Sequence, residues 1–285
     1  MKILVTGSNG QLGSELKRIA PDYPYEFVFT TREDLDLEDM PHISDFIRYG
    51  EFDWIINCAA YTAVDRAEEE KKMAELVNST AVFNMVEAAE WIGAKFIHIS
   101  TDYVFDGQKA TPYTEDDPVN PLSVYARTKA EGEKYVLKYN FGMVIRSSWL
   151  YSSVGHNFVK TMLSLAQRTQ DIGVVYDQVG TPTYAADLAH FIMLVIDYHH
   201  KHKVLFTPGL YHYADEGVAS WYDFAHAIFE YKGISVNLRP LRTSQFPRPA
   251  VRPAYSVLDK SKVKELYGIS IPHWRDSLKK MLTLI

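Results

Sequence analysis

The run Lys2-Ile-Leu-Val-Thr6 passes directly into Gly7-Ser-Asn-Gly10-Gln-Leu-Gly13, and this junction constrains the fold more than any other stretch of the chain. A short apolar, β-branched run of this kind reads as a buried strand. Gln11 to Ala20 reads as a helix, so the glycines fall in a strand–turn–helix connection. Gly7 allows a tight turn, Gly10 lets a pyrophosphate approach the backbone, and Gly13 lets helix pack on strand. The helix N-terminus adds amide donors and a positive dipole end. The spacing is Gly-x-x-Gly-x-x-Gly, so the flanking strand and helix carry the assignment of a dinucleotide site as much as the glycines do.

The first half of the chain repeats this alternation. Glu26 to Thr30, Trp54 to Asn57, Lys95 to Ser100 and Gly142 to Arg146 read as strands. Pro41 to Tyr49, Ala67 to Val77, Ala81 to Ile92 and Val124 to Tyr139 read as helices. The pattern predicts an α/β fold of Rossmann type, a doubly wound parallel sheet with helices on both faces. Ligands of such sheets gather beyond the carboxyl ends of the strands. Thr6, Asn57 to Ala60, Ser100 to Asp102 and Arg146 to Trp149 occupy those ends. Beyond Tyr151 the pattern is less regular. Asn157 to Thr169, Tyr184 to Tyr198, Ser220 to Tyr231 and Trp274 to Leu284 read as helices, Gly173 to Tyr176 as a strand, and the Pro- and Arg-rich Arg239 to Pro253 as a loop.

Composition excludes several classes. A formal net charge of −6 argues against general nucleic-acid binding. The single cysteine, Cys58, precludes an internal disulfide and favours a reducing, cytoplasmic setting. Cys58 sits in an apolar run and reads as a small buried hydrophobe rather than a nucleophile. Met1 leads straight into the first strand, leaving no room for a signal peptide. No apolar stretch of ~18 residues is present, so no membrane span is expected.

The chemistry is carried by Tyr125 and Lys129 in Tyr-Ala-Arg-Thr-Lys. Residues at i and i+4 share a helix face, and an ammonium beside a phenol stabilises the phenolate. A hydroxyl inert at its usual pKa of ~10 then becomes able to exchange protons with a carbonyl oxygen. Thr101, at the end of a predicted strand, supplies a nearby hydroxyl.

Together these segments resemble the extended short-chain dehydrogenase/reductase superfamily and, within it, the dTDP-4-dehydrorhamnose reductases. The resemblance runs over nearly the whole length. It rests on Thr6 to Gly13, Asn57-Cys-Ala-Ala-Tyr-Thr-Ala-Val-Asp65, Ser100-Thr-Asp-Tyr-Val-Phe-Asp-Gly107, Pro121 to Lys129, Arg146 to Tyr151, Asn157-Phe158 and Asp177 to Thr183. It implies NADPH-dependent reduction of the C4 ketone of a nucleotide-linked 4-keto-6-deoxyhexose. Residues 1–150 would form the NADP-binding Rossmann domain, and 151–285 mainly a substrate-binding lobe partly interleaved with it. By the same resemblance Tyr125 is the general acid, Lys129 holds the nicotinamide ribose and lowers the tyrosine pKa, and Thr101 bonds the substrate carbonyl. Gly7, Asn9, Gly10, Gln11, Leu12, Gly13, Asp36, Leu37, Ala59, Ala60 and Tyr61 would line the cofactor. Asp102, Val104, Trp149, Asn157 and Arg252 would face the nucleotide sugar, with Trp149 packed on the sugar ring and Arg252 on the diphosphate. Other readings of this resemblance are a non-catalytic NADP-binding regulatory subunit and a nucleotide-sugar epimerase.

The second strand ends Thr30-Thr31-Arg32 with no acid directly there. An arginine suits the 2′-phosphate of NADP(H), with NAD(H) as a second cofactor. The remaining features read as structural. His199-His-Lys-His202 is expected to be a solvated helix C-terminus, where cations suit the dipole. Glu68 to Lys72 is expected to be a helix surface with intrahelical pairs. Glu15 occupies a position where some relatives place an interface carboxylate near a divalent ion, but Ala186 and Thr283 offer no supporting carboxylate. No metal is therefore expected, and the chain is expected to be a monomer or a weak homodimer.

Overall fold

The computed structural model describes residues 1–201 and 206–285. Its first half alternates β1 (Lys2–Thr6), α1 (Gln11–Ile19), β2 (Glu26–Thr30), α2 (Met40–Tyr49), β3 (Trp54–Asn57), α3 (Lys71–Glu75), α4 (Ala81–Ile92), β4 (Lys95–Thr101), α5 (Val124–Lys138) and β5 (Gly142–Ser147). The second half follows with β6 (Leu150–Tyr151), α6 (Phe158–Ala166), β7 (Asp171–Val175), β8 (Val179–Gly180), β9 (Thr183–Tyr184) and α7 (Ala185–Lys201). It ends with β10 (Gly209–His212), β11 (Ala219–Ser220), α8 (Trp221–Lys232), β12 (Asn237–Leu241), α9 (Ser261–Tyr267) and α10 (Trp274–Leu282).

The main sheet has the order β2-β1-β3-β4-β5-β10, and every pairing in it is parallel. Its residues alternate between two cores, as the strand period of two requires. Ile3, Val5, Ile56, Ile97 and Ile145 enter one core with α1 and α7, and Leu4, Ile55, Phe96 and Val144 enter the other with α2, α4 and α5. Both faces are therefore covered, which accounts for the nearly continuous apolar runs in the sequence. The chain order reverses at β1, flanked by β2 on one side and β3 on the other, and the crevice at such a switch point is where ligands bind. A third core, built on Tyr151, Tyr184, Phe224, Trp274 and Leu278, holds the C-terminal elements together.

Four local expectations need correction. The helix expected over 67–77 is instead a 3₁₀ turn (Arg66–Glu68), α3, and a π-helical stretch (Leu76–Thr80) that runs into α4. The widened turn places Asn78, whose amide brackets the Tyr61 backbone at 2.8 and 3.1 Å and donates to Thr128 Oγ1 at 3.1 Å. Glu68 does not pair within its own helix; its carboxylate accepts the Val124 N–H at 2.8 Å and so caps α5. The loop expected at 239–253 begins as β12, parallel to β7, with Pro240 tolerated because the sheet has only two strands. His199 is not solvated but buried beside Phe206 and Tyr267, while His202 lies outside the described residues.

α5 reaches the π stretch through Gly132, where an added Cβ would fall 2.3 Å from the Asn78 carbonyl oxygen. Gly132→Ala is expected to destabilise the fold by about 1–3 kcal/mol, the usual cost of overpacking, read as a lowered urea midpoint. An unchanged midpoint would mean that these helices separate freely.

Candidate active site

The carboxyl ends of β1, β3 and β4 open into a cleft of about 1130 Å3, with Trp149 and Trp221 on its C-terminal side. The glycine loop forms one wall. Gly7 has φ +65°, and a Cβ there would lie 2.7 Å from the Ala59 nitrogen; one on Gly13 would lie 2.4 Å from the Gly7 carbonyl oxygen. Gly10 caps α1 without any side-chain hydrogen bond, so the first-turn amides have no capping partner. A bare helix N-terminus at the foot of a turn with glycine at both ends is a fitting cradle for a pyrophosphate. Asn9, Gln11 and Leu12 line the cleft as expected, whereas Gly13 lies beneath the turn and packs on it.

Asp36, Leu37, Ala59, Ala60 and Tyr61 extend this wall. Arg32 stands at the rim, largely exposed, with its guanidinium on Glu38 and 3.6 Å from Asp36. Exposed pairs of this kind are worth only about 0–1 kcal/mol, so the arginine is available to an incoming phosphate.

α5 delivers Tyr125 and Lys129. Its N-terminus is fixed twice, by Ser123 Oγ accepting the Ala126 N–H at 3.2 Å and by Glu68 on Val124. Thr101 ends β4 with its side chain buried; it accepts the Tyr103 N–H at 3.2 Å and donates to Asp102 Oδ1 at 3.1 Å, close enough to act on the Tyr125 phenol. It is therefore a capping hydroxyl and a member of the cluster at once. Burial pushes the Tyr125 phenol up to about 12; the Thr101 bond pulls it back and Asp102 pushes it further. Lys129 is pushed down to about 8 by burial, against the pull of Glu133 and Cys58. Lys129 Nζ donates to the Ile99 carbonyl at 2.7 Å and lies 3.2 Å from His98 Nε2. Asp102 is pushed up to about 7 by burial, opposed by the Ser256 and Thr101 hydroxyls.

The expected sugar-facing residues separate. Asp102 and Trp149 line the cleft. Val104 does not; it is fully buried with Phe105, Tyr113, Ala130 and Leu258, and the neighbouring Tyr103 faces the cleft instead. Asn157 caps α6 through Lys160 N, and its amide donates to Gln11 Oε1 at 2.9 Å and Ser152 O at 2.7 Å. It ties the C-terminal elements to the glycine loop, with no donor left for a ligand. Arg252 grips Asp65 through two 3.0 Å bonds rather than presenting a free fork to a diphosphate. Trp149 adopts φ +46°, rare for a bulky residue, and stacks flat on Trp221 at 3.6 Å with the rings 4° apart. Strain of this kind persists only where the surroundings enforce it.

Sequence reasoning missed Tyr103, Trp221 and the buried His98; it placed Asn57 at a strand end but not its buried bonds. Trp221 could have been suspected from its place just after the Ser220–Asp223 capping box. Cys58 packs on the first core as a small hydrophobe, as expected, and also lines the cleft; burial holds its thiol up at about 12, so it is protonated. Glu15 is buried on Ser152 and Arg18. Among the described residues no group of His, Cys, Asp and Glu is arranged to hold a metal ion.

The RmlD substrate binding domain family profile matches residues 1–285. The chain belongs to that family. The spore coat polysaccharide biosynthesis protein SpsK of Bacillus subtilis is 38% identical over 282 residues, covering 99% of this chain and 96% of that protein. A dTDP-4-dehydrorhamnose reductase structure from Clostridium acetobutylicum superposes with a TM-score of 0.94 at 42% identity, covering 100% of this chain and 99% of the other. That of Bacillus anthracis, solved in complex with NADP, gives 0.92 at 35% identity, with 100% and 99% covered.

The indole stack gives a direct test of this geometry. A Cβ at residue 180 would lie 2.7 Å from Trp149 Cε2. Gly180→Ala is therefore expected to weaken the circular-dichroism exciton couplet that two stacked indoles produce. A couplet of wild-type amplitude would show that Trp149 has room to spare.

Proposed function

We propose that this protein reduces the C4 ketone of dTDP-4-dehydro-L-rhamnose to dTDP-L-rhamnose with NADPH. One observation carries the reading: Thr101, Tyr125 and Lys129 line the same cleft as the glycine cradle and the paired tryptophans. NADPH, when bound, supplies the hydride that the ketone carbon receives. Gly7 and Gly10 would give its diphosphate room, the α1 amides would bind it, and Arg32 would meet the 2′-phosphate. Lys129 and Tyr61, on the same cleft, would hold the ribose and nicotinamide.

Tyr125 holds the reaction's proton on its hydroxyl and gives it to the carbonyl oxygen as that oxygen gains charge. A phenol pushed up to about 12 is protonated at neutral pH, as an acid for reduction must be. Thr101 lines the cleft with Tyr125, and its hydroxyl suits a second contact to the same carbonyl. Asp102 is placed to accept a sugar hydroxyl. Trp149 and Trp221 offer an apolar surface to the carbon face of a deoxy sugar.

Residues 1–150 act as the NADP-binding part and 151–285 mainly as the substrate-binding part. β10 and α7 reach back onto the first sheet and interleave the two. Among the described residues no helix is long and apolar enough to cross a membrane, and we place the protein in the cytoplasm as a monomer or weak homodimer. A regulatory subunit would have no need of an intact Thr101, Tyr125 and Lys129 beside a cofactor cradle, which favours the enzyme.

Tyr125→Phe is expected to lower kcat by about 10² or more, the scale of general acid catalysis, while NADPH binding stays intact. Near-normal turnover would overturn the role of Tyr125. Arg32→Ala is expected to lower kcat/KM for NADPH roughly tenfold, about 1.4 kcal/mol, with the NADH value nearly unchanged. An equal loss with both cofactors would remove Arg32 from 2′-phosphate recognition.

A further inference from the structure

A buried polar chain runs behind the cleft and ends on Lys129; its other three members have no part in the chemistry described above. Thr6 Oγ1 donates to Asn57 Oδ1 at 2.7 Å, the Ala59 N–H donates to the same oxygen at 3.1 Å, and Asn57 Nδ2 lies 3.1 Å from His98 Nδ1. His98 Nε2 lies 3.2 Å from Lys129 Nζ. All four side chains are buried: Thr6 and Asn57 are each 1% exposed, His98 0% and Lys129 2%.

The Ala59 amide fixes the sense of this chain. A backbone N–H only donates, so the oxygen of the Asn57 amide must face Ala59 and its NH2 must face His98. His98 Nδ1 is then an acceptor. Burial, whatever the charge on Lys129, holds the imidazole below its usual pKa, so it is neutral and carries its one proton on Nε2. That N–H points at Lys129 Nζ. A neutral amine has a lone pair to accept it, and an ammonium has none. Charging Lys129 sets Nε2–H against N–H. Rotating the Asn57 amide to relieve this sets its NH2 against the Ala59 N–H.

We propose that His98 is a positioning residue: it presents a hydrogen-bond donor to Lys129 and so disfavours the charged form of that lysine. The proposal rests on the reading of Lys129 as part of the reducing site. Burial lowers Lys129 on its own, and the other groups around the amine add nothing in that direction. Cys58, from the end of β3, is a protonated thiol. Glu133, one turn along α5, favours the charged lysine, and it is itself held by Arg146 of β5 at 2.7 and 2.9 Å and by Ser100 of β4. Tyr125, one turn back, is a protonated phenol. Asn78, on the π stretch packed against α5, is uncharged. His98 on β4 is the neighbour whose hydrogen-bonding sense is set from elsewhere, through Asn57, by the backbone next to the glycine loop.

The test is a titration of protein labelled with [ε-13C]lysine, without substrate or NADPH, in which the Lys129 resonance is assigned by its loss in Lys129→Met. Its outcome is thus independent of whether dTDP-4-dehydro-L-rhamnose is turned over. The wild-type midpoint is expected near 8. His98→Leu keeps the site apolar but removes the donor, and is expected to raise the midpoint by one pH unit or more, a tenfold change in proton affinity. Asn57→Leu frees the imidazole proton to move to Nδ1, is expected to act in the same direction, and serves if the His98 variant does not fold. A wild-type midpoint near the ordinary lysine value of about 10.4, or an unshifted midpoint in the folded variants, would overturn the proposal.

Discussion

The approach of Gly7 to Ala59 is the contact on which the rest of the site depends. It brings the turn after β1 against the turn after β3 with so little space that a Cβ would sit 2.7 Å from a backbone nitrogen. The parallel sheet puts those two strand ends side by side at its switch point. The same contact orients the Ala59 N–H, which is shared by Asn57 and, more distantly, Thr6. One backbone approach thereby shapes the cofactor cradle and sets the direction of the polar chain that ends at Lys129.

α5 is held with comparable redundancy. Ser123 and Glu68 satisfy its first amides, Gly132 admits the π stretch, and Glu133 is locked to Arg146 in a pair buried on both sides. A buried pair of this kind is weak evidence for stability, since desolvation offsets the attraction, but breaking one partner is costly. Its effect here is to fix one face of the helix, from which Lys129 projects one turn earlier and Tyr125 two. Burial then does opposite things to the two groups: it keeps the phenol protonated and presses the lysine toward its neutral form. A protonated acid beside a titratable amine suits carbonyl reduction.

What could be read from the sequence was local. β1, the glycines and α1 carry their periodicity and turn chemistry within 20 residues, and Tyr125 and Lys129 need only a helix to share a face. What could not be read depended on distant partners. The π stretch exists because Asn78 bonds Tyr61, 17 positions away. Strand β10 is only four residues long and exists because β5 offers it an open edge. Asn157 and Arg252 looked free for ligand because Gln11 and Asp65 lie 146 and 187 positions away in the chain. Val104 was placed one residue wrong in its surroundings: a 3₁₀ turn over Asp102–Val104 points Tyr103 to the cleft and Val104 to the core.

The central claim is that this cleft passes a hydride from NADPH to C4 of the sugar while Tyr125 supplies the proton. The most direct measurement is isotope transfer: incubation of dTDP-4-dehydro-L-rhamnose with NADPH deuterated at the nicotinamide C4, followed by NMR of the product. The account predicts dTDP-L-rhamnose carrying deuterium at C4, with one NADP+ formed per product. Product without that deuterium, or consumption of the sugar with no net oxidation of NADPH, would contradict it.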